Sequence, residues 1–142
     1  MDEFYKYILL SLVSELNGER GKAFFISLLR GSKQKKVLYM LNKKSLWGYY
    51  NLLGLLSRSS VEAMYDELIE SKVLQIKNNR LTDGFLYPLL HLDQAAKQFL
   101  DEKDSEFSDR LKEVFESNIK IIDISRLMLD LTGQPDSLPD AV

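Results

Sequence analysis

The chain has 142 residues and a formal net charge of −2, with 45% apolar and 28% charged residues, the composition of an ordinary globular domain that can bury a core. It has no cysteine and one histidine, which excludes a disulfide framework, a thiolate zinc site and a histidine metal cluster. No stretch approaches the roughly 18 consecutive apolar residues of a membrane span. We therefore expect a cytoplasmic protein with no membrane contact, metal or cofactor.

Three helices are predicted in the first third of the chain. Apolar residues recur every three or four positions over residues 4–16, which is the period of an amphipathic helix. A second, densely apolar helix over residues 22–29 is broken by Gly31. Ser32 is the expected N-cap of a third helix over residues 32–41. The sequence thus predicts a tight helix-turn-helix corner with lysines clustered just past the turn.

A fourth helix is predicted over residues 61–71, after an aromatic connector over residues 47–56. Serines 57, 59 and 60 offer its N-cap. Its apolar face should meet the core, whereas its outward face is acidic and only Lys72 is expected to relieve that charge. The acidic face carries Glu62, Asp66, Glu67 and Glu70.

A β-hairpin is predicted next, with one strand over residues 73–77 and another within residues 85–92. Residues 78–84 between them are rich in turn formers. Pro88 has no N–H to donate, which indicates an edge or strand-end position. Helices followed by a hairpin are the order of a winged helix-turn-helix fold.

Two further helical segments are predicted after the hairpin, one over residues 94–102 and the other, as one helix or two, over residues 106–131. The expected fold is therefore mainly α with a small β-hairpin, a winged helix-turn-helix with extra C-terminal helices. Its expected parts are a winged-helix domain over residues 1–100, a helical extension over 101–132 and a disordered acidic tail over 133–142. The apolar faces of residues 106–131 either pack on the domain or form a homodimer interface.

The charge is unevenly distributed. Residues 101–142 hold eleven acidic and five basic residues, a net charge of −6, whereas residues 20–44 hold no acidic residue at all. We therefore expect a basic pole and an acidic pole. The basic residues of the segment 20–44 are Arg20, Lys22, Arg30, Lys33, Lys35, Lys36, Lys43 and Lys44.

The basic segment is a candidate DNA-binding site. Helix-end N–H groups at Ser32 and Lys33 would carry partial positive charge, and nearby lysines would neutralise phosphates. The alternative is that these lysines form an ordinary solvated face. The carboxylates of the helix 61–71 would repel DNA in a groove, so the sequence predicts recognition of the backbone or of DNA structure instead of base readout. The expected contacts nearest Ser32 and Lys33 are Lys35, Lys36, Lys43 and Lys44.

Other candidate chemistry is weaker. Trp47, Tyr49 and Tyr50 could stack on unpaired bases, but an aromatic cluster among leucines is more often core. Carboxylate pairs such as Asp66 with Glu67 lie on ordinary helix surfaces, and we expect no enzyme activity. A competing function is a protein-interaction module, in which the acidic helix 61–71 and the acidic C-terminus dock a basic partner.

Several segments together resemble the RQC domain, the winged helix that follows the zinc module of RecQ-type DNA helicases. They are residues 25–37, 45–48, 64–74 and 87–92, and the sharpest part is Leu29-Arg30-Gly31-Ser32. The chain also resembles a related helix-turn-helix domain at the C-terminus of bacterial proteins, in which the run Leu16-Asn17-Gly18-Glu19-Arg20 is typical.

The resemblance implies double-stranded or branched DNA as a ligand, and a helicase or another replication or repair protein as a partner. It makes Arg30, Ser32 and Lys33 phosphate contacts and makes Phe85 or Tyr87 the aromatic residue of the wing. The motor and the cysteine module of the helicases have no counterpart here. The wing tip offers Arg80 as a DNA contact but no aromatic residue at its apex, which weighs against a strand-separating pin.

Overall fold

The computed structural model describes residues 1–80 and 84–132. It confirms the predicted mainly helical fold with a two-stranded antiparallel hairpin. The tail expected over residues 133–142 lies outside the described residues. The elements are α1 Glu3–Glu15, α2 Lys22–Leu29, α3 Lys35–Lys44, a 3₁₀ turn Trp47–Tyr49, α4 Arg58–Glu70, β1 Leu74–Arg80, β2 Leu86–Leu92, α5 Gln94–Ile121 and α6 Ile124–Thr132.

The core is built around α1 and α2. Leu9, Leu10 and Leu12 of α1 are fully buried, because this helix packs against α5 on one side and β2 on the other. Most of α2 is equally buried and packs against α3 and α4. The apolar residues of the C-terminal helices join the same core through Phe107, Leu111 and Leu127.

Several element boundaries differ from the prediction. Helix α3 covers Lys35–Lys44 instead of residues 32–41, α4 begins at Arg58 instead of residue 61, and the largest differences lie in α5 and β1. Helix α5 runs for 28 residues without the expected break near residue 103, because no glycine or proline stops it there and Lys103 pairs with both Glu3 of α1 and Glu106. Strand β1 extends to Arg80, through residues predicted as a turn, because each pairs with a residue of β2, as far as Arg80 opposite Leu86. Tertiary pairing outweighs local turn propensity here.

The loop between α1 and α2 takes the place of a third strand beside β2. The Gly18 N–H donates to Leu90 O and the Leu90 N–H donates to Arg20 O, both at 2.9 Å. Pro88 lies two residues from Leu90, so its missing N–H faces the same loop and costs the hairpin nothing. At that point Gly21 approaches so closely that a Cβ would lie 2.8 Å from Pro88 O.

His91 packs directly against this loop. Gly18 has φ +75°, and a Cβ on it would lie 2.5 Å from His91 Cε1. Nε2 of His91 is buried and has no hydrogen-bond partner among the described residues. Burial, with the nearby Lys77, lowers the pKa of His91 below its usual value.

We predict that the free energy of unfolding falls as the pH is lowered from 7.5 to 5.5. Because the folded state holds the pKa of His91 below its unfolded value of about 6.5, the stabilisation is complete above that value and is lost as the pH falls toward the folded pKa. Urea unfolding at both pH values should show a smaller decrease in His91→Gln than in the unsubstituted protein. Equal decreases would contradict the prediction.

Candidate nucleic-acid interface

The link between α2 and α3 is held by hydrogen bonds to its backbone. Gly31 has φ +78°, the left-handed conformation that glycine adopts without strain. The Tyr50 hydroxyl donates a bond shared between Gly31 O at 2.8 Å and Ser32 O at 3.0 Å. The Ser32 N–H donates to Ser27 O at 2.9 Å. We call residues 30–34 the corner, and its path is set by partners on both sides.

Ser32 is not the N-cap of α3, contrary to the prediction. The N-cap is Gln34, whose side chain makes no capping bond. Ser32 Oγ instead accepts from the Gln34 N–H at 3.2 Å, within the corner. The helix-end N–H groups expected at Ser32 and Lys33 therefore begin at Lys35, where α3 begins.

The N-terminus of α3 is unusually basic. Lys35 and Lys36 lie in its first turn, Lys33 lies just before it, and no acidic residue is present in that turn. Acidic residues normally stabilise this end of a helix, because the backbone dipole places partial positive charge there. An anion bound at this end of the helix would therefore be stabilised both by the backbone dipole and by the lysine charges.

Helix stability explains why Lys43 and Lys44 are found at the C-terminal end of α3. They occupy the last turn of α3, where cations complement the negative end of the dipole. Lys43 Nζ also lies 5.6 Å from the centre of the Tyr39 ring. No carboxylate of the described residues forms an ion pair with Lys33, Lys43 or Lys44.

Arg30 is partly used inside the fold. It is the C-cap residue of α2, and its Nε–H donates to Leu56 O at 3.0 Å. The Asn51 and Leu53 N–H groups donate to carbonyls of α2, Leu28 O and Leu29 O. The corner is thereby joined to the loop that follows the 3₁₀ turn.

Lys22 does not belong to the open basic surface. Its Nζ lies 2.8 Å from Asp66 Oδ1 and 3.3 Å from Glu62 Oε2 on α4. The hydrogen bond to Asp66 raises the pKa of Lys22 and outweighs the effect of burial. The prediction that only Lys72 relieves the acidic face of α4 is therefore wrong, and the N-terminal amine adds a third contact, 3.9 Å from Glu67.

The hairpin carries the basic residue Arg80 and exposed apolar side chains. Arg80 ends β1, and its guanidinium donates to Gly84 O. Phe85 and Leu86 on the other side of the turn are 68% and 58% exposed, while the apex, residues 81–83, lies outside the described residues. A cavity of about 360 Å³ separates the hairpin from the start of α2, and Lys36 lines it together with Ile76, Tyr87 and Pro88. The structure thus brings the start of α3 and the wing to one cavity.

The two tyrosines of the aromatic connector belong to the core, as its composition favours. Tyr49 and Tyr50 are 5% and 4% exposed, and burial raises the pKa of both. Half-buried Trp47 makes an edge-to-face contact with Tyr50 at 5.8 Å. Tyr50 supports the corner through its hydroxyl, and neither tyrosine ring is exposed enough to stack on a base.

Sequence reasoning missed Asn118. This side chain of α5 is 7% exposed and donates to Gly48 O at 2.8 Å and to Tyr50 O at 2.9 Å. The sequence does carry a signal for it, because Asn118 occupies a position where the helical period of Leu111 and Val114 predicts an apolar residue. Buried polar groups with satisfied hydrogen bonds specify a unique packing arrangement.

We predict that Arg30→Lys lowers the free energy of unfolding by about 1–2 kcal/mol although the charge is kept, because the Nε–H bond to Leu56 O is lost. Exposed Lys33→Gln should change stability by less than about 0.5 kcal/mol. Urea titration measures both values. An Arg30→Lys variant as stable as the unsubstituted protein would show that the bond to Leu56 is unimportant.

Comparison with known proteins agrees with this architecture. The part of the chain that the structure describes contains no helix able to span a membrane and no group of ligands able to hold a metal ion. No curated protein and no solved structure matches the chain. The family model of the RQC domain matches residues 7–114, and this family comprises non-catalytic, DNA-binding accessory modules of RecQ helicases. With most of its length matched and a winged hairpin following its helices, the chain belongs to the RQC domain family.

Proposed function

We propose that the chain binds the phosphate backbone of double-stranded or branched DNA at the N-terminus of α3. The observation that carries the proposal is the cluster of Lys33, Lys35 and Lys36 at a helix start that has neither an acidic residue nor a side-chain cap. Both the cations and the helix dipole favour an anion there. Ser32 contributes by shaping the corner, since its hydroxyl accepts a bond from Gln34.

The remaining basic residues would make further contacts with DNA phosphates. Lys43 and Lys44 lie at the other end of α3, roughly 14 Å from its start at a rise of about 1.5 Å per residue. This separation is close to the width of the DNA major groove, about 12 Å, so the two ends suit phosphates on opposite sides of a groove. Arg80 would contact the backbone from the hairpin, and Arg30 would use the donors that remain after its bond to Leu56.

Base-specific readout by α4 is not part of the proposal. Its outward carboxylates are at least partly exposed, and they would meet the negative potential of a groove. The same face serves the competing function, docking of a basic protein partner. Two of its carboxylates, Glu62 and Asp66, already hold Lys22, which reduces the charge left for such a partner.

The proposed setting is a cytoplasmic helicase or another replication or repair assembly, in which this module supplies DNA binding and no catalysis. The homodimer expected from residues 106–131 remains a hypothesis. Phe107, Leu111 and Leu127 of that segment pack into the core of their own chain. A dimer would therefore have to use exposed apolar residues such as Ile121, which is 81% exposed.

We predict that Lys33→Gln with Lys36→Gln weakens DNA binding by about tenfold or more and lowers the slope of log affinity against log salt by roughly 2, because two phosphate contacts are lost. The matched control is Lys97→Gln with Lys112→Gln, which removes the same charge from exposed positions of α5. Fluorescence anisotropy on a short duplex at several salt concentrations measures both. Equal losses in the two variants would rule out the α3 site.

We also predict weak sequence preference. Unrelated duplexes of equal length should bind within about tenfold of one another, because phosphate contacts carry no sequence information. Competition titrations with a set of duplexes give the ratio. Discrimination of a hundredfold would require base readout and would contradict the proposal.

A further inference from the structure

Apart from the tyrosines, the single buried polar side chain among the described residues is Asn118, near the end of α5. Its amide donates to the carbonyls of Gly48 and Tyr50, so both of its hydrogens are used. Leaving those buried carbonyls without a donor would be costly. Asn118 therefore fixes the backbone of the 3₁₀ turn and of the residue that follows it.

Tyr50 links this fixed stretch of backbone to the corner. Its ring is 4% exposed and lies edge-to-face against Trp47. Its hydroxyl donates to the carbonyls of Gly31 and Ser32. Tyr50 is thus bonded to α5 through its backbone carbonyl and to the corner through its hydroxyl.

The same end of the molecule lies beyond the residues that match the RQC family. The match ends at residue 114, before Asn118 and before α6. Helix α6 packs against α3. A cavity of about 290 Å³ lies between the corner and this C-terminal segment, with Lys33 on one side and Asp123, Arg126 and Leu127 on the other.

We infer that Asn118 and Tyr50 are positioning residues through which the segment after residue 114 sets the conformation of the DNA-binding corner. The inference rests on the proposed function, because it assigns the purpose of these hydrogen bonds to phosphate binding near Lys33. Holding the corner in one conformation before DNA arrives removes an ordering cost from binding. Neither residue touches the DNA itself.

The first test needs no DNA. Hydrogen-exchange mass spectrometry of the full chain compares residues 31–36 in Tyr50→Phe, in Asn118→Ala and in the unsubstituted protein. Both variants should exchange faster in this segment, and the mild Tyr50→Phe change removes only a hydroxyl. The matched control is Tyr7→Phe, which removes a hydroxyl that contacts Asp104 of α5 at 3.4 Å, on the α1 side of that helix. The control should leave residues 31–36 unchanged.

The second test measures DNA affinity well below the unfolding temperature. Tyr50→Phe should weaken binding about threefold to tenfold, the range that the loss of one hydrogen bond produces. The loss should shrink when Lys33→Gln is already present, because a positioning residue acts through the group that it positions. A residue that only stabilises the fold would show no loss at this temperature, and a loss of equal size in both backgrounds would show that Tyr50 does not act through Lys33.

The outcomes separate the two proposals. Unchanged exchange in Tyr50→Phe, or faster exchange with unaltered DNA affinity, would overturn the positioning role. If the unsubstituted protein binds no DNA, the proposed function fails, and the exchange data still decide whether Asn118 and Tyr50 hold the corner. Faster exchange together with an affinity loss that depends on Lys33 supports the inference.

Discussion

The depth at which α2 is buried constrains everything around it. Four of its eight side chains, Phe25, Ile26, Leu28 and Leu29, are completely inaccessible. Because so little of α2 is exposed to solvent, charged side chains can lie only at its two ends. Lys22 lies at one end and Arg30 at the other, and each bonds to a partner across the fold. The corner follows directly after the buried helix, so its backbone is held against the core while Lys33 is exposed to solvent.

The order of the elements was predictable because apolar periodicity reports burial, and burial dominates the energy of a fold of this size. The boundaries were less predictable where distant residues decide them. Ser32 has the side chain of an N-cap, yet its hydroxyl bonds within the corner and α3 begins only at Lys35. Helix α5 continues past residue 103, where Lys103 forms an ion pair with Glu3 of α1 that the local sequence does not indicate.

The residue types of the candidate site were predictable from the sequence, but which of its basic residues bond within the fold was not. A run of basic residues without an acidic one can be counted in the sequence. Some of these basic residues bond to groups more than twenty residues away in the sequence, as Arg30 does with Leu56 O and Lys22 with Asp66. The sequence does not show which residues form such bonds. The role of Asn118 was harder still to predict, because an amide at an apolar helix position does not indicate that its partners are backbone carbonyls about seventy residues away.

The loop beside β2 has a consequence for how copies of this protein avoid one another. A two-stranded sheet has two open edges, and an open edge is a template on which further strands can add. On the β2 side, Leu90 is already paired with the loop and Pro88 has no N–H to offer. On the β1 side, Lys77 would face its own counterpart if an identical strand were added in register, and the like charges would repel. Both edges of the hairpin therefore carry features that disfavour the addition of a further strand from another copy.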